Sequence, residues 1–359
     1  MRVLIAGGGT GGHLFPGIAL ADEIRRRGEN PILFVGTQRG IERRAVPAAG
    51  YDLEFLNISG LKRAGLWKTL QGLGRLPLAF LKSILLLYRF RPDVVIGVGG
   101  YASGPMLLTA AALGYPTAIQ EQNSVPGFTN RTLGKLVRKV FIAFEKASTS
   151  FPPKKTELLG NPVRQAIVLA LSAESASSQT PPCVLVVGGS QGAKAVNDLV
   201  LGAMAILQKE QNLPTILHQT GAAELDRIRA RYAELQVACD ARAFIDDMAD
   251  AYRKADLVVA RAGALTLAEL ALARKPAILI PLPTAADDHQ TQNAQEFALR
   301  GAALVLQQRS TTPHELAHKI HHILANAATR TQMASAMGTL ARPRATLDIV
   351  DRLQRLAGQ

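Results

Sequence analysis

The feature that most limits how this chain can fold occurs twice. RVLIAGGGTGGH, residues 2–13, and CVLVVGGSQGAK, residues 183–194, match almost position for position: an apolar run, a glycine-rich loop, then a helical pattern. An apolar run of four or five residues bounded by glycine reads as a strand buried on both faces, and the segment beyond the loop has the period of a helix. Strand, glycine loop and helix in that order open a parallel α/β unit and set a helix N-terminus over the loop, where an anion is favoured. Two such openings in a chain of 359 residues predict two domains of ordinary size.

The remaining pattern agrees. Apolar runs at residues 32–35, 94–98, 117–120 and 140–143 alternate with helical segments in the first half, and runs at 215–218, 257–260, 277–280 and 303–306 do so in the second. Between the halves, LSAESASSQTPP at residues 171–182 has no apolar period and reads as a connection. The expected fold class is α/β: two Rossmann-like parallel-sheet domains, residues 1–160 and 161–340, facing a central cleft. A helix at about residues 341–359 is expected to be able to pack back on the first domain. Cys183 and Cys239 are too few for a disulfide framework and lack metal-ligand spacing, and Met1-Arg2 lead straight into the first strand. A reducing, cytoplasmic setting is the expectation.

Net charge is +13 and uneven: residues 1–160 hold 21 Lys and Arg against 10 Asp and Glu, and residues 161–359 hold 20 against 18. A basic half attracts a polyanion, a phosphorylated ligand or an anionic membrane surface, and charge alone does not choose among them. A nonenzymatic polyanion-binding protein would use the same field. Against a nucleic-acid partner, aromatic residues are only 5% of the chain and the cations are scattered among apolar helices, without a stacking platform.

Gly7, Gly9 and Gly12 satisfy G-x-G-x-x-G, so a dinucleotide site has to be tested. Such a site needs a carboxylate at the end of the second strand to hold ribose hydroxyls. Here that strand ends Phe34-Val35-Gly36-Thr37-Gln38-Arg39, with none. Arg39 would suit a 2′-phosphate, which keeps an NADP-dependent oxidoreductase as the alternative. The second loop, Gly188-Gly189-Ser190-Gln191-Gly192, has no third glycine at fingerprint spacing, and both loops read as phosphate cradles.

GGGTGGH, GVGGYASGP (residues 97–105), EQNSVPG (121–127), GNPVR (160–164), GGSQGA, FIDDM (244–248), RAGALTLAE (261–269) and DDHQTQNA (287–294) together resemble, in order and spacing, the MurG family. That family consists of the bacterial UDP-N-acetylglucosamine:lipid I N-acetylglucosaminyltransferases of peptidoglycan synthesis, with the B-type glycosyltransferase fold. The resemblance runs from residue 2 to about residue 300. It implies an inverting transfer of N-acetylglucosamine to the MurNAc 4-hydroxyl of lipid I, giving lipid II, at the cytoplasmic face of the cell membrane. Proteins of cell-wall synthesis are possible partners.

Each motif then has an expected task. RAGALTLAE reads as a loop feeding a helix near Ala264, whose first amides, at Ala264, Leu265 and Thr266, suit the donor diphosphate. The resemblance implies that Glu269 accepts from the ribose hydroxyls and that Ile245 offers its backbone to uracil. Gln290 and Asn293, three apart on one helix face, would bracket the sugar, although His289 stands where some relatives carry a second amide. Ser190, Gln191 and Arg164 would reach the donor phosphates or sugar. On the acceptor side Thr10, Gly11 and Gly12 would cradle the lipid-linked diphosphate, and Tyr101, Ser103, Glu121, Asn123 and Asn130 would line the cleft. The resemblance also puts Thr10 and Asn123 within reach of the donor. For Glu121 a loop-stabilising role stays open.

No D-x-D pattern accompanies the donor residues, so no metal and no cofactor are expected. His13 is the candidate base for the acceptor hydroxyl, because an imidazole ordinarily titrates near neutrality; a phosphate-binding role is the alternative. Membrane contact is expected at GLKRAGLWKTLQGLGR, residues 60–75, through Leu61, Leu66, Trp67 and Leu70 among the cations, with residues 76–88 packing on the sheet.

Overall fold

The computed structural model describes residues 1–38, 40–58, 66–172, 181–189 and 191–358, with residues 66–75 described as backbone alone. The chain forms two compact units: Met1–Gln165 with Pro343–Gln359, and Ala166–Arg342.

In the first unit the apolar runs become the central strands of a seven-stranded sheet, β1 (Val3–Ala6), β2 (Ile32–Gly36), β3 (Asp52–Phe55), β4 (Val94–Gly97), β5 (Thr117–Glu121), β6 (Lys139–Ile142) and β7 (Thr156–Leu158). Their order is β3-β2-β1-β4-β5-β6-β7, all parallel. Val3 lies opposite Ile32 on one side and Val94 on the other. Because side chains alternate across a pleated strand, this register sorts them into two layers. Val3, Ile5, Phe34 and Ile96 pack under the helix Gly11–Arg26, while Leu4, Val35 and Val95 pack under Leu87, Met106 and Leu107. Parallel strands covered on both faces must be apolar throughout, which is why they read as continuous runs.

The C-terminal helix, Ala345–Ala357, belongs to this unit. Ile349, Val350, Leu353 and Leu356 fall at 3–4 spacing and bury one stripe against the first layer. Arg27 ties it down, donating to Asp351 Oδ1 at 2.6 Å and Gln354 Oε1 at 2.8 Å, while Glu23 below accepts from Arg27 Nε at 2.6 Å.

The second unit repeats the plan with β8 (Cys183–Val187), β9 (Thr215–Gln219), β10 (Cys239–Arg242), β11 (Leu257–Ala260), β12 (Ala277–Leu279) and β13 (Ala303–Val305). The order is β10-β9-β8-β11-β12-β13, again parallel. Val184, Val186, Leu257 and Val259 carry its core against the helices Lys194–Lys209 and Pro313–Ala325. Both sheets therefore have the strand order of a doubly wound α/β domain.

The helix Leu66–Phe90 differs from expectation. Ala79, Ser83, Leu86 and Leu87 are buried, but Leu78, Leu81, Leu85 and Tyr88 are 67%, 53%, 59% and 64% exposed. Residues 76–88 thus pack on the sheet along one face only, and a second apolar stripe at 3–4 spacing faces outward. Of the residues expected at the membrane, Leu61 lies outside the described residues, as do the side chains of Leu66, Trp67 and Leu70. Among the described residues no helix is long and apolar enough to cross a membrane.

Candidate active site

In each sheet the first strand sits between the two directions in which the chain builds outward, β1 between β2 and β4, and β8 between β9 and β11. At such a point the loops leaving neighbouring strands diverge, and a ligand crevice opens beyond their carboxyl ends. Both glycine loops lie there.

In the first unit two glycine loops interlock. The Gly8 N–H donates to Gly99 O at 3.1 Å, and a Cβ on Gly100, at φ +85°, would stand 2.4 Å from Gly8 O. Only glycine permits that approach and that backbone. Ser103 completes the crossing, its hydroxyl donating to Ala6 O at 2.7 Å and Gly99 O at 3.0 Å. Thr10 is the N-cap of the following helix without a side-chain capping bond, so Gly11 and Gly12 present their amides at an uncapped helix end.

Sequence reasoning missed Glu42. Its buried carboxylate accepts from Gly9 N at 2.7 Å and from Thr37 N and Oγ1, both at 2.8 Å. The Gly9 amide is thereby engaged, and Gly11 and Gly12 are the loop residues at the helix end. A signal existed in the glycines around it: a Cβ at Gly8, Gly36 or Gly40 would collide with the Glu42 side chain. Glu42→Ala leaves the buried amide and hydroxyl of Thr37 unpaired and frees the exposed Gly9 amide to water, and is expected to lower unfolding stability by about 2 kcal/mol in urea titrations. No change would mean that the loop holds without it.

Glu121 and Asn130 are buried, and their roles shift accordingly. Glu121 accepts from Asn123 N at 2.9 Å, Gly127 N at 3.3 Å and Asn130 Nδ2 at 2.9 Å. These bonds fold the EQNSVPG loop, so with Ser103 both residues shape the site from beneath rather than line it. Tyr101 is exposed. His13 is partly exposed, and its Nδ1 lies 2.9 Å from Gln122 Oε1. Gln122 is buried and donates from Nε2 to Val98 O at 2.8 Å.

In the second unit Ser190 lies outside the described residues, as does Arg39 in the first. Gln191 is exposed on the second glycine loop and Arg164 on the first unit. The Ile245 N–H donates to Gln219 Oε1 at 3.1 Å. The same amide donates from Nε2 to Gly189 O at 3.0 Å, so Gln219 links the glycine loop to the Ile245 segment.

The helix Ala264–Ala273 begins after Gly263 without a side-chain cap, with Ala264, Leu265 and Thr266 in its first turn. Glu269 accepts from the Tyr252 hydroxyl at 3.0 Å. Burial and that carboxylate push the Tyr252 hydroxyl well above its usual range, so it remains a donor. Buried Arg261 fixes the loop before this helix, donating to Ile280 O at 3.0 Å and Gln308 Oε1 at 2.6 Å. Gln290 and Asn293 also turn inward: Gln290 Oε1 accepts from Leu282 N at 3.0 Å, and buried Asn293 donates to Ala262 O at 3.4 Å. Asp287 and Asp288 just before them both adopt left-handed φ, at 51° and 52°. Strain of that kind gathers where a structure serves a ligand. Among the described residues no three His, Cys, Asp or Glu side chains form a metal-holding group.

The chain matches the glycosyltransferase family 28 N-terminal domain over residues 3–142 and the glycosyltransferase family 28 C-terminal domain over residues 183–349. A UDP-N-acetylglucosamine--N-acetylmuramyl-(pentapeptide) pyrophosphoryl-undecaprenol N-acetylglucosamine transferase of Myxococcus xanthus is 48% identical, covering 98% of this chain and 92% of its own length. Its counterpart in Geobacter sulfurreducens is 44% identical over 98% of both. The crystal structure of Acinetobacter baumannii MurG superposes with a TM-score of 0.79 at 34% identity, over 99% of each chain.

Proposed function

Because this chain belongs to glycosyltransferase family 28 and is a MurG-type N-acetylglucosaminyltransferase, we propose a division of labour in which its second unit holds the donor and its first unit the acceptor and the base. The reaction moves N-acetylglucosamine from UDP-N-acetylglucosamine to lipid I with inversion at the anomeric carbon, forming lipid II for peptidoglycan synthesis. The MurNAc 4-hydroxyl oxygen forms the new bond to the anomeric carbon. The bond from that carbon to the diphosphate breaks, UDP leaves with its electron pair, and the hydroxyl proton passes to His13 Nε2.

The observation that carries this reading is the pair of uncapped helix ends beside the two glycine loops, Gly11-Gly12 in one unit and Ala264 to Thr266 in the other. Each favours a diphosphate, through its first-turn amides and the helix dipole, and the reaction has two, one on the nucleotide and one on the lipid. Oriented amides stabilise the departing UDP without rearranging during the step. Gln191 adds a contact to the donor phosphates, and Gln290 and Asn293 shape the sugar pocket. Uracil would pair with the Ile245 backbone, on the N–H side by displacing Gln219.

The test is transfer itself. Purified protein with UDP-N-acetylglucosamine and a lipid I analogue should release one UDP per lipid II formed, and UDP should raise the thermal midpoint whereas NADPH should not. UDP-glucose used as well as UDP-N-acetylglucosamine would contradict the donor assignment. Glu269→Ala should raise the donor KM roughly 10–100-fold, the loss of one hydrogen bond or two to a charged acceptor. Because Tyr252 loses its partner too, Glu269→Gln separates a folding defect from lost ribose contact.

Attachment to the membrane follows from the outward stripe Leu78, Leu81, Leu85 and Tyr88, with Arg89 on the same helix and a first half rich in cations. Apolar anchors beside cations suit an anionic lipid surface, and the lipid-linked substrate requires one nearby. Leu81→Ser/Leu85→Ser should cut binding to phosphatidylglycerol-containing vesicles by about tenfold while turnover on a short-chain, water-soluble acceptor is kept. Parent-like vesicle binding would move the attachment elsewhere.

A further inference from the structure

The hydrogen bonds around His13 fix more than its position. Gln122 follows β5, Val98 follows β4, and His13 lies in the helix after β1, so three adjacent strands bring these groups together. The Gln122 side chain is buried, and its two ends have different neighbours: Nε2 lies 2.8 Å from Val98 O and 3.4 Å from Gln120 O, and Oε1 lies 2.9 Å from His13 Nδ1. Both carbonyls only accept. Turning the amide over would set its oxygen against them and leave the NH2 facing the ring. The carbonyls therefore dictate which end of Gln122 meets the imidazole.

That end is an acceptor, so His13 must donate to it from Nδ1, and a neutral ring then carries a lone pair on Nε2. Gly99 constrains the ring further. A Cβ there would stand 2.6 Å from Nδ1, so the imidazole is seated directly against the Gly99 backbone. We propose that Gln122 is a positioning residue that holds His13 in the Nδ1–H tautomer, so that Nε2 is always the atom able to take a proton. A free imidazole prefers the opposite tautomer, and a ring left to that preference would offer its lone pair on the buried side. The inference rests on His13 as base for its purpose, but the tautomer is a property of the ligand-free protein.

The tautomer is read directly. Protein labelled with ¹⁵N-histidine, at a pH of about 8 where imidazoles are neutral, gives a long-range ¹H–¹⁵N spectrum in which the two tautomers have different patterns. His13→Asn identifies the His13 signals among the seven histidines. The Nδ1–H pattern is expected at His13; an Nε2–H pattern, or an average of the two, overturns the proposal. Gln122→Met, similar in shape but lacking the acceptor, should move the signals toward Nε2–H and lower kcat about 10–1,000-fold with the UDP-N-acetylglucosamine KM within about twofold. A folded Gln122→Met protein that keeps the parent spectrum also overturns the proposal. An Nδ1–H pattern together with parent-like turnover in His13→Asn would instead remove His13 as base and leave the role of Gln122 intact.

Discussion

His13→Ala is expected to lower turnover by about two to four orders of magnitude at saturating acceptor, the range that a positioned base contributes. A hydroxyl attacking an anomeric carbon must lose its proton as the bond forms, and nothing else named at this end of the first unit is placed to accept it. The carboxylates Glu42 and Glu121 are buried and engaged by backbone amides, those of Gly9 and Thr37 for Glu42 and those of Asn123 and Gly127 for Glu121. The donor KM should stay near the parent value, because the donor groups belong to the other unit. Phosphate binding by His13 would look different: the acceptor KM would rise and kcat would recover at high acceptor. Turnover within threefold of the parent at saturating acceptor would exclude the base.

The central strands were legible because burial on both faces leaves a continuous apolar run, as in Val94–Gly97 or Leu257–Ala260. The strands missing from the sequence reading are Asp52–Phe55, Thr156–Leu158 and Cys239–Arg242, and all three are edge strands. An edge strand is half exposed, so DLEF, TEL and CDAR carry the charges that water allows and lose the apolar signal. The site shows the same division. Glycine loops and helix starts announce themselves through spacing, whereas Glu42, Gln122 and Gln219 act through partners 33, 109 and 26 residues away, and no local pattern encodes such distances. Nothing in the run Ala243-Phe244-Ile245 hints that the Gln219 side chain accepts from the Ile245 N–H.

The second unit has its own fixed histidine, and its stability should depend on it. His218 is fully buried on β9, its Nε2 lies 3.1 Å from Asn197 Oδ1 and its Nδ1 2.9 Å from the Tyr232 hydroxyl. Asn197 donates from Nδ2 to Thr220 O at 3.0 Å, which turns its oxygen toward the ring. His218 therefore donates from Nε2 and accepts at Nδ1 from Tyr232, the reverse of His13. With both nitrogens engaged and no carboxylate among these partners, burial lowers its pKa from 6.5 to about 4. Between those values the unfolded chain binds the proton and the folded one does not, so stability rises with pH there. The contribution is complete above about 6.5 and lost as pH falls toward 4, and its full size is about 3 kcal/mol. The loop should feel this loss first, because Thr220 O would lie 2.0 Å from a Cβ on Gly192, so the chain that His218 anchors forms the wall of the second glycine loop. Urea unfolding between pH 7 and pH 4 should show the parent losing its advantage over His218→Gln as pH falls, with UDP affinity declining over the same interval. A difference between the two proteins that stays constant across that range would show that His218 is not the group being titrated.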